Sequence, residues 1–317
     1  MKRLILVMLL VFSTLTACSS KQTKVCTTAY PITYLVNKIG GERVSTCSIS
    51  EDMVIQRAGI EPGYLDDLNQ AMLLIHISGL EPYYDLYLKE IRDSKVNVLD
   101  LSLHASVYEF ARFTYVYSNQ DKAVVESEYY PLKEFDRIDK YAKDPFLWMD
   151  PIGMTSMARA IKDWLIEHFP ESEIYFTRNF KAVEADLARL DAEYQVLKKA
   201  KKNVKIVTMT PSFGNWQMAF GVQVYPVILS KYGALPNRIQ LEVIKNKIKE
   251  DGVEYIAKEP NMTADMEELF QQLVDELELK PVVLNNLSSL TSENKAGNED
   301  YLKLMYDNLT TLESIGE

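Results

Sequence analysis

The sequence offers few side chains for catalysis or metal binding. It has three histidines, no Gly-x-Ser-x-Gly or His-Glu-x-x-His pattern, and no glycine-rich phosphate loop. His76 is the best placed of the three, because it follows the apolar run Met72–Ile75, which predicts a buried strand. A single histidine there is more often a structural residue than a metal ligand, since an ion needs several ligands. We therefore do not expect an enzyme.

The three cysteines indicate two kinds of chemistry. A basic start and a short apolar run lead to Leu15-Thr16-Ala17-Cys18, which resembles the signal peptide and lipobox of bacterial lipoproteins. The resemblance implies cleavage after residue 17 and a lipid on Cys18. Cys26 and Cys47 lie in two short predicted strands of one βαβ unit. A disulfide between them and a pair of buried thiols both remain open, because the sequence does not give the Cα separation.

The longest predicted element is a helix from Ser172 to about Lys202. Its apolar residues recur every three or four positions and form one stripe: Phe176, Phe180, Val183, Leu187, Leu190, Tyr194 and Leu197. No glycine or proline interrupts the run, and at 1.5 Å per residue the helix would be roughly 45 Å long. Because strand and helix patterns alternate on both sides of it, we expect it to join two domains rather than form a coiled coil.

The alternating patterns predict an α/β fold of two βα lobes, joined by this one long rigid helix, with a ligand cleft between the lobes at the carboxyl ends of the strands. Residues 81–91 read as a helix, and residues 103–143 show nothing clearer than a loop with a short hairpin. The expected divisions are a signal peptide (1–17), an N-terminal lobe that begins at the lipidated cysteine and a short tether (18–150), linking helices (151–203) and a C-terminal lobe (204–317).

Composition excludes one class of partner. The chain of 317 residues is 47% hydrophobic, so it can bury a large core, and its formal net charge is −10 with a pI near 5.0. Nucleic-acid binding normally requires a basic surface. We therefore expect no nucleic-acid partner.

Short motifs follow one another along the chain: Thr27-Thr28-Ala29-Tyr30-Pro31, Glu61-Pro62, Gly79-Leu80-Glu81-Pro82, Asp144–Pro151, Phe213-Gly214 and Glu259-Pro260. In order and spacing they resemble the zinc/manganese class of ABC-transporter substrate-binding lipoproteins over nearly the whole mature chain. The resemblance implies two α/β lobes with a rigid linking helix, a solute held between them and an ABC permease as partner. It also implies a lipid-anchored protein on the extracytoplasmic face of a bacterial membrane, and we expect a monomer.

The metal site of that family has three histidines and one carboxylate. The resemblance places these four ligands at Ala58, Phe146, Thr210 and Asn285. The first two side chains have no donor atom and the last two offer neutral oxygens, a set that suits neither Zn²⁺ nor Mn²⁺. By this pattern we expect no metal cofactor.

Three interpretations of the cleft remain open. Aromatic and polar residues expected near it suit a small organic solute of unknown identity: Gln56, Arg57, Trp148, Phe213, Trp216 and Lys258. A relocated metal site is the second interpretation, and its candidate ligands are Glu61, His76, Asp144, Asp150 and Glu259; an all-oxygen set would favour Ca²⁺ or Mg²⁺. The third is an accessory or adhesion lipoprotein without a transport role, whose fold serves as an interaction surface.

Overall fold

A parallel sheet of four strands forms the centre of the N-terminal lobe in the computed structural model, which describes residues 22–118, 121–200 and 204–315. The strands are β1 (Thr23–Thr27), β2 (Val44–Ser48), β3 (Leu73–His76) and β4 (Asn97–Asp100). They lie in the order β2-β1-β3-β4, and the intervening helices are α1 (Tyr30–Gly40), α2 (Tyr64–Gln70) and α3 (Leu88–Asp93). Every residue of β3 is buried, as its unbroken apolar sequence predicts.

Cys26 and Cys47 face each other in the register of β1 and β2. Their Cα atoms are 4.5 Å apart, and their sulfur atoms form a disulfide bond. Between the two strands, α1 begins with Pro31 in its first turn and ends at Gly40. The next residue, Gly41, has a φ of 52°, and a Cβ atom there would overlap the hydroxyl of Tyr175. Glycine is therefore required where this turn meets the linking helix.

Two helices connect the lobes. The first is α4 (Pro151–His168), and the second is the long helix α5 (Glu173–Lys199), which has 27 residues and spans about 40 Å. Asp150 caps α4 by accepting a hydrogen bond of 3.0 Å from the backbone of Ile152. All seven apolar residues of the predicted stripe on α5 are buried, which confirms the periodicity argument.

The C-terminal lobe contains a second parallel sheet. Its strands are β7 (Lys205–Thr208), β8 (Gln223–Pro226), β9 (Tyr255–Lys258) and β10 (Lys280–Val283), in the order β10-β9-β7-β8. Its helices are α6 (Asn215–Phe220), α7 (Arg238–Glu250), α8 (Ala264–Leu277), α9 (Ser292–Ala296) and α10 (Tyr301–Ile315). The predicted α/β fold of two lobes and one long linking helix is therefore confirmed.

An antiparallel hairpin lies in the region where the sequence showed little pattern. It consists of β5 (Arg112–Ser118) and β6 (Asp121–Ser127). The side chain of Gln217 accepts a hydrogen bond from the backbone of Phe113, and Gln223 donates one of 3.0 Å to the carbonyl of the same residue. The hairpin thus follows the N-terminal sheet in sequence but packs on the C-terminal lobe.

The helix predicted over residues 81–91 is wrong in its first half, since α3 begins at Leu88. Glu81 and Tyr83 are buried, and they form hydrogen bonds with Thr28 and Ser50 respectively. These contacts hold residues 81–87 in turns instead of a helix. Within the described ranges, no helix is long and apolar enough to span a bilayer.

Candidate functional site

The segments that follow the strands of the two sheets meet between the lobes. The backbone N–H of Tyr30, after β1, donates a hydrogen bond of 3.1 Å to the carbonyl of Ser288, after β10. The indole N–H of Trp148 donates one of 2.9 Å to the carbonyl of Asn286. The carboxyl ends of parallel strands are the usual ligand sites of α/β folds, so this boundary is the candidate site.

The four positions where the resemblance places metal ligands are all buried. Ala58 is 6% exposed, Asn285 is 8% exposed, and Phe146 and Thr210 are fully buried. Asn285 exchanges hydrogen bonds with Asn308, because its backbone N–H donates to the Asn308 side chain and its carbonyl accepts from it. Across the described part of the chain, no three His, Cys, Asp or Glu side chains lie close enough together to hold a metal ion.

Thr210 is engaged with a buried carboxylate. Its backbone N–H donates to Oε1 of Glu259 at 2.8 Å and its hydroxyl donates to Oε2 at 2.6 Å. The side chain of Asn286 also donates to Oε2, at 2.9 Å. Burial raises the pKa of Glu259, and these hydrogen bonds oppose the rise. Both oxygens of Glu259 therefore already have partners.

The predicted aromatic residues form a packed core instead of an open lining. Phe146, Trp148, Phe213 and Trp216 are all fully buried. The rings of Phe146 and Trp148 are 5.6 Å apart, and those of Phe213 and Trp216 are 4.9 Å apart. The indole N–H of Trp216 donates to the carbonyl of Met149 at 2.9 Å. These side chains stabilise the boundary between the lobes, with their polar atoms satisfied.

The predicted polar residues lie in three different environments. Gln56 is buried, and its amide group has no hydrogen-bond partner among the described residues. Arg57 bridges the lobes, because it donates to the carbonyl of Gly233 and to the carboxylate of Asp265, each at 2.9 Å. Lys258 is exposed. Of the three, Gln56 is the one with unused hydrogen-bonding capacity.

The remaining candidate carboxylates are not grouped. Burial raises the pKa of Asp144 to about 7, although its Oδ1 accepts a hydrogen bond of 3.0 Å from the backbone of Phe146. Asp150 is occupied as the cap of α4, and burial raises its pKa too. Glu61 is half-buried. In the ranges that the structure describes, no residue forms hydrogen bonds with two of these three carboxylates.

His76 lies at the end of β3, as predicted, and is 5% exposed. Its ring stacks on that of Tyr84 with a centroid distance of 4.1 Å, and its Nδ1 atom has no hydrogen-bond partner among residues the structure describes. Burial lowers the pKa of His76, and the nearby carboxylates of Asp100 and Asp85 oppose this change. Burial therefore favours the neutral imidazole over the charged form.

Glu81 is a polar site residue to which the sequence assigned no role. It is 5% exposed, Oε1 accepts a hydrogen bond from the Thr28 hydroxyl, and Oε2 has no partner within the described residues. Burial raises the pKa of Glu81 to about 7. The available signal was its position in the Gly79–Pro82 motif. Cys18 and residues 1–17 lie outside the described residues.

Comparison with known proteins places this geometry in context. Residues 25–315 match the family described as zinc-uptake complex component A, periplasmic. The zinc-binding lipoprotein AdcA of Streptococcus pneumoniae is 27% identical over 169 residues, which are 53% of this chain and 33% of AdcA. The chain thus aligns with about a third of the length of that relative.

Two solved structures share the fold. A Zn(II)-bound variant of AdcAII from Streptococcus pneumoniae has a TM-score of 0.74 and 21% identity, with 94% of this chain and 99% of that one covered. The laminin-binding adhesin Lmb of Streptococcus agalactiae has a TM-score of 0.74 and 20% identity, with coverage of 93% and 100%.

These findings correct the prediction that no metal is involved. That prediction is wrong, because the relative AdcA is named as a zinc-binding lipoprotein and the AdcAII structure contains Zn(II). Ala58, Phe146, Thr210 and Asn285, the positions at which the resemblance predicts ligands, have neither an imidazole nor a carboxylate. Any function assigned to the site must therefore account both for metal binding by the relatives and for the side chains present here.

Proposed function

Because the chain belongs to the family of periplasmic zinc-uptake components A, we propose that it is the solute-capture lipoprotein of an ABC importer of the metal-ion class. Membership confirms the resemblance seen in the motifs and the expectation of a binding protein rather than an enzyme. The proposal includes a lipid on Cys18, a place on the extracytoplasmic face of a bacterial membrane, a monomeric state and an ABC permease as partner.

The observation that supports this proposal best is the meeting of the two lobes at the carboxyl ends of their strands. The contact from Tyr30 to Ser288 joins these ends, and the contact from Trp148, just before α4, to Asn286 lies beside it. A solute held between two lobes buries most of its surface, and it can alter the surface that the lobes present to a permease.

We propose that the cargo is held by side chains other than those at the four family positions. Ala58 and Phe146 have no donor atom, and Thr210 already donates to Glu259. The cargo is then either a metal ion bound through relocated ligands or a different small solute. Gln56 and Glu81 are buried polar residues that have side-chain atoms without a hydrogen-bond partner among the described residues.

Cargo binding can be tested with the mature chain produced without its lipid. The chain is dialysed against a chelator, its bound metal is measured by elemental analysis, and its melting temperature is followed with divalent ions, amino acids and other small solutes. A cargo present at a hundred times its Kd adds about 2.7 kcal/mol to the free energy of unfolding. A chain that retains no metal and is stabilised by no compound would contradict the capture role.

A second candidate function is an accessory or adhesion role without transport. It is favoured by one observation, the exposed apolar side chains Val116, Val124 and Val125 on the hairpin, which are 44–48% exposed. The structural neighbour Lmb is named as a laminin-binding adhesin. This alternative predicts binding to immobilised laminin that is lost when the three valines are replaced by threonine, with no thermal shift from any solute.

A further inference from the structure

The amino edge of the N-terminal sheet, opposite the boundary between the lobes, carries an exposed face. Gln22 precedes β1, and its side chain donates a hydrogen bond of 2.9 Å to the carbonyl of Glu42, in the turn before β2. The backbone N–H of Glu42 donates one of 3.3 Å to the hydroxyl of Tyr175, in the first turn of α5. Beside Tyr175 in the chain, Ile174 is 87% exposed, the largest fraction among the exposed large apolar side chains of the described residues. We call the surface formed by Gln22, Glu42, Arg43, Ile174 and Tyr175 the basal face.

The basal face combines apolar, aromatic and charged groups. The guanidinium groups of Arg43 and Arg178 lie 4.7 and 5.4 Å from the ring centre of Tyr175. Glu42 and Glu171 line the groove beside this ring, so charges of both signs are present. A protruding aliphatic side chain next to tyrosine and arginine is typical of surfaces that lie at a membrane–water interface.

The proposed lipid on Cys18 would lie close to the basal face. Four peptide bonds separate the Cα atoms of Cys18 and Gln22, and an extended chain covers at most about 3.6 Å per residue. Gln22 would therefore be held within roughly 15 Å of the lipid headgroups. The boundary between the lobes lies at the far end of β1, which adds a strand length of about 17 Å. The basal face is thus much nearer to the point of attachment than the lobe boundary is.

Helix α5 leads away from the basal face to the other end of the molecule. It begins beside Ile174, and near its end the ammonium group of Lys198 donates to the carbonyls of Met218 and Ala219, which precede β8. These carbonyls lie at the amino edge of the C-terminal sheet. The helix therefore joins the outer edges of the two lobes over about 40 Å, with the lobe boundary between them.

We propose that the basal face is a membrane-contact surface, which rests on the phospholipid bilayer and directs α5 away from it. Ile174 would leave water for the acyl-chain boundary, and Arg43 and Arg178 would donate hydrogen bonds to lipid phosphates. The lobe boundary would then lie roughly 20 Å above the membrane. Because the groove also contains two glutamates, we expect the contact to persist at high salt. The inference rests on the lipid on Cys18 that belongs to the proposed function.

The test uses the lipidated chain in vesicles of phosphatidylethanolamine and phosphatidylglycerol. Mass spectrometry first establishes whether Cys18 carries the lipid. Single dyes are attached at Glu171→Cys and Val196→Cys, which lie at opposite ends of α5. Labelling is selective, because Cys26 and Cys47 are bonded to each other and the thiol of Cys18 is blocked by the lipid.

Energy transfer from each dye to acceptors on the lipid headgroups gives its distance from the membrane. We expect the dye at residue 171 to be roughly 30 Å closer to the headgroups than the dye at residue 196, because more than six turns of helix separate the two sites. The difference should be the same at low and high salt. Equal distances for the two dyes would overturn the proposal.

A single substitution tests the basal face itself. Ile174→Ser should reduce the difference between the two distances at least about twofold, because the face loses its apolar contact with the bilayer. Ile239→Ser is the matched control, since Ile239 is 57% exposed on the C-terminal lobe, and it should leave the difference unchanged. An unchanged difference in Ile174→Ser would overturn the membrane contact. A difference that appears only at high protein density would also overturn it, because the face would then bind a second copy of the chain.

Failure of this inference differs from failure of the capture role, which is measured separately on the chain without its lipid. If the lipidated chain has no preferred orientation but metal ions or other solutes stabilise the protein, the membrane contact is wrong and the capture role stands. If the orientation is as expected and no compound binds, the capture role is wrong and the membrane contact stands. A mature chain without a lipid on Cys18 would contradict both this inference and the proposed anchoring.

Discussion

The guanidinium group of Arg112, on strand β5, donates a hydrogen bond of 3.0 Å to the carboxylate of Asp251, which follows α7. The two side chains are 13% and 18% exposed, and the hydroxyl of Tyr225 donates to the same carboxylate at 2.7 Å. Burial alone would raise the pKa of Asp251, but its hydrogen bonds to Tyr225 and to cationic neighbours lower it to about 2. This contact anchors the hairpin to the C-terminal lobe.

Replacement of Arg112 should therefore destabilise the protein. Arg112→Met removes the positive charge that pairs with the largely buried carboxylate of Asp251. We therefore expect a loss of about 2–3 kcal/mol in the free energy of unfolding. Urea denaturation measures it. The control is Lys89→Met, because the pair of Lys89 with Asp93 is exposed to solvent and should contribute much less to stability. Equal effects of the two substitutions would show that the Arg112 contact is not stabilising.

Glu81 and Asp144 should make stability fall as pH rises. Burial raises the pKa of each to about 7, so each group binds more protons in the folded chain than in the unfolded chain between about pH 4 and pH 7. Below that window both states are protonated and stability is unaffected. Above it, ionisation lowers stability by about 3 kcal/mol for Glu81 and about 4 kcal/mol for Asp144.

The pH effect of Glu81 can be isolated with a neutral isostere. The stability of the wild-type chain relative to Glu81→Gln should decrease by about 2.5 kcal/mol between pH 5 and pH 8, as measured by urea unfolding at both values. Glu109→Gln serves as the comparison, because the side chain of Glu109 is 51% exposed beside Lys143. A relative stability that does not change with pH would mean that the Glu81 carboxyl is solvated.

Periodic patterns predicted the fold well, because they arise from residues that are close together in the sequence. The stripe of α5 and the apolar run before His76 each depend on residues a few positions apart, so sequence spacing alone reveals them. The hairpin and the late start of α3 depend on distant partners instead. Gln217 and Gln223 contact Phe113 across about a hundred residues, and Thr28 contacts Glu81 across 53. No local pattern contains these contacts.

The candidate site was only partly predictable for the same reason. The motifs predict where the family's ligands would fall, and the side chains at those positions can be read directly from the sequence. Burial cannot be read in that way: Trp148 and Trp216 were expected to line a cleft, but both are fully buried and hydrogen-bonded to backbone carbonyls. Conversely, the exposure of Lys258 and the unpartnered oxygen of Glu81 became visible only in three dimensions.

The disulfide between Cys26 and Cys47 should stabilise the N-terminal lobe. It closes a loop with a sequence separation of 21 residues, and a loop of that length corresponds to about 3 kcal/mol of lost entropy in the unfolded chain. We expect the double variant Cys26→Ala and Cys47→Ala to lose about that amount in urea denaturation. Added reductant should lower the stability of the wild-type chain and leave the variant unchanged. Equal stabilities of variant and wild type without reductant would contradict a structural role.

Binding of cargo should move the lobes very little. The continuous helix α5 resists bending, and Arg57 ties the lobes together through Gly233 and Asp265. Spin labels at Leu86→Cys and Ile239→Cys report the distance between the lobes, because both side chains are exposed and the two native cysteines that the structure describes are bonded to each other. Measurements use the mature chain without Cys18. We expect the main distance to change by less than about 3 Å when saturating cargo is added.

A pair of labels within one lobe provides the reference for that measurement. The labels are attached at Leu86→Cys and Leu103→Cys. The wild-type side chains of Leu86 and Leu103 are 78% and 79% exposed, and both residues lie in the N-terminal lobe. Their distance should be the same with and without cargo, so any change there reports label mobility alone. A change of more than about 5 Å between the lobes, with none within the lobe, would show hinge closure. In that case the contacts of Arg57 would have to break during capture. The variant Arg57→Ala should then show both the closed and the open distance in the same sample.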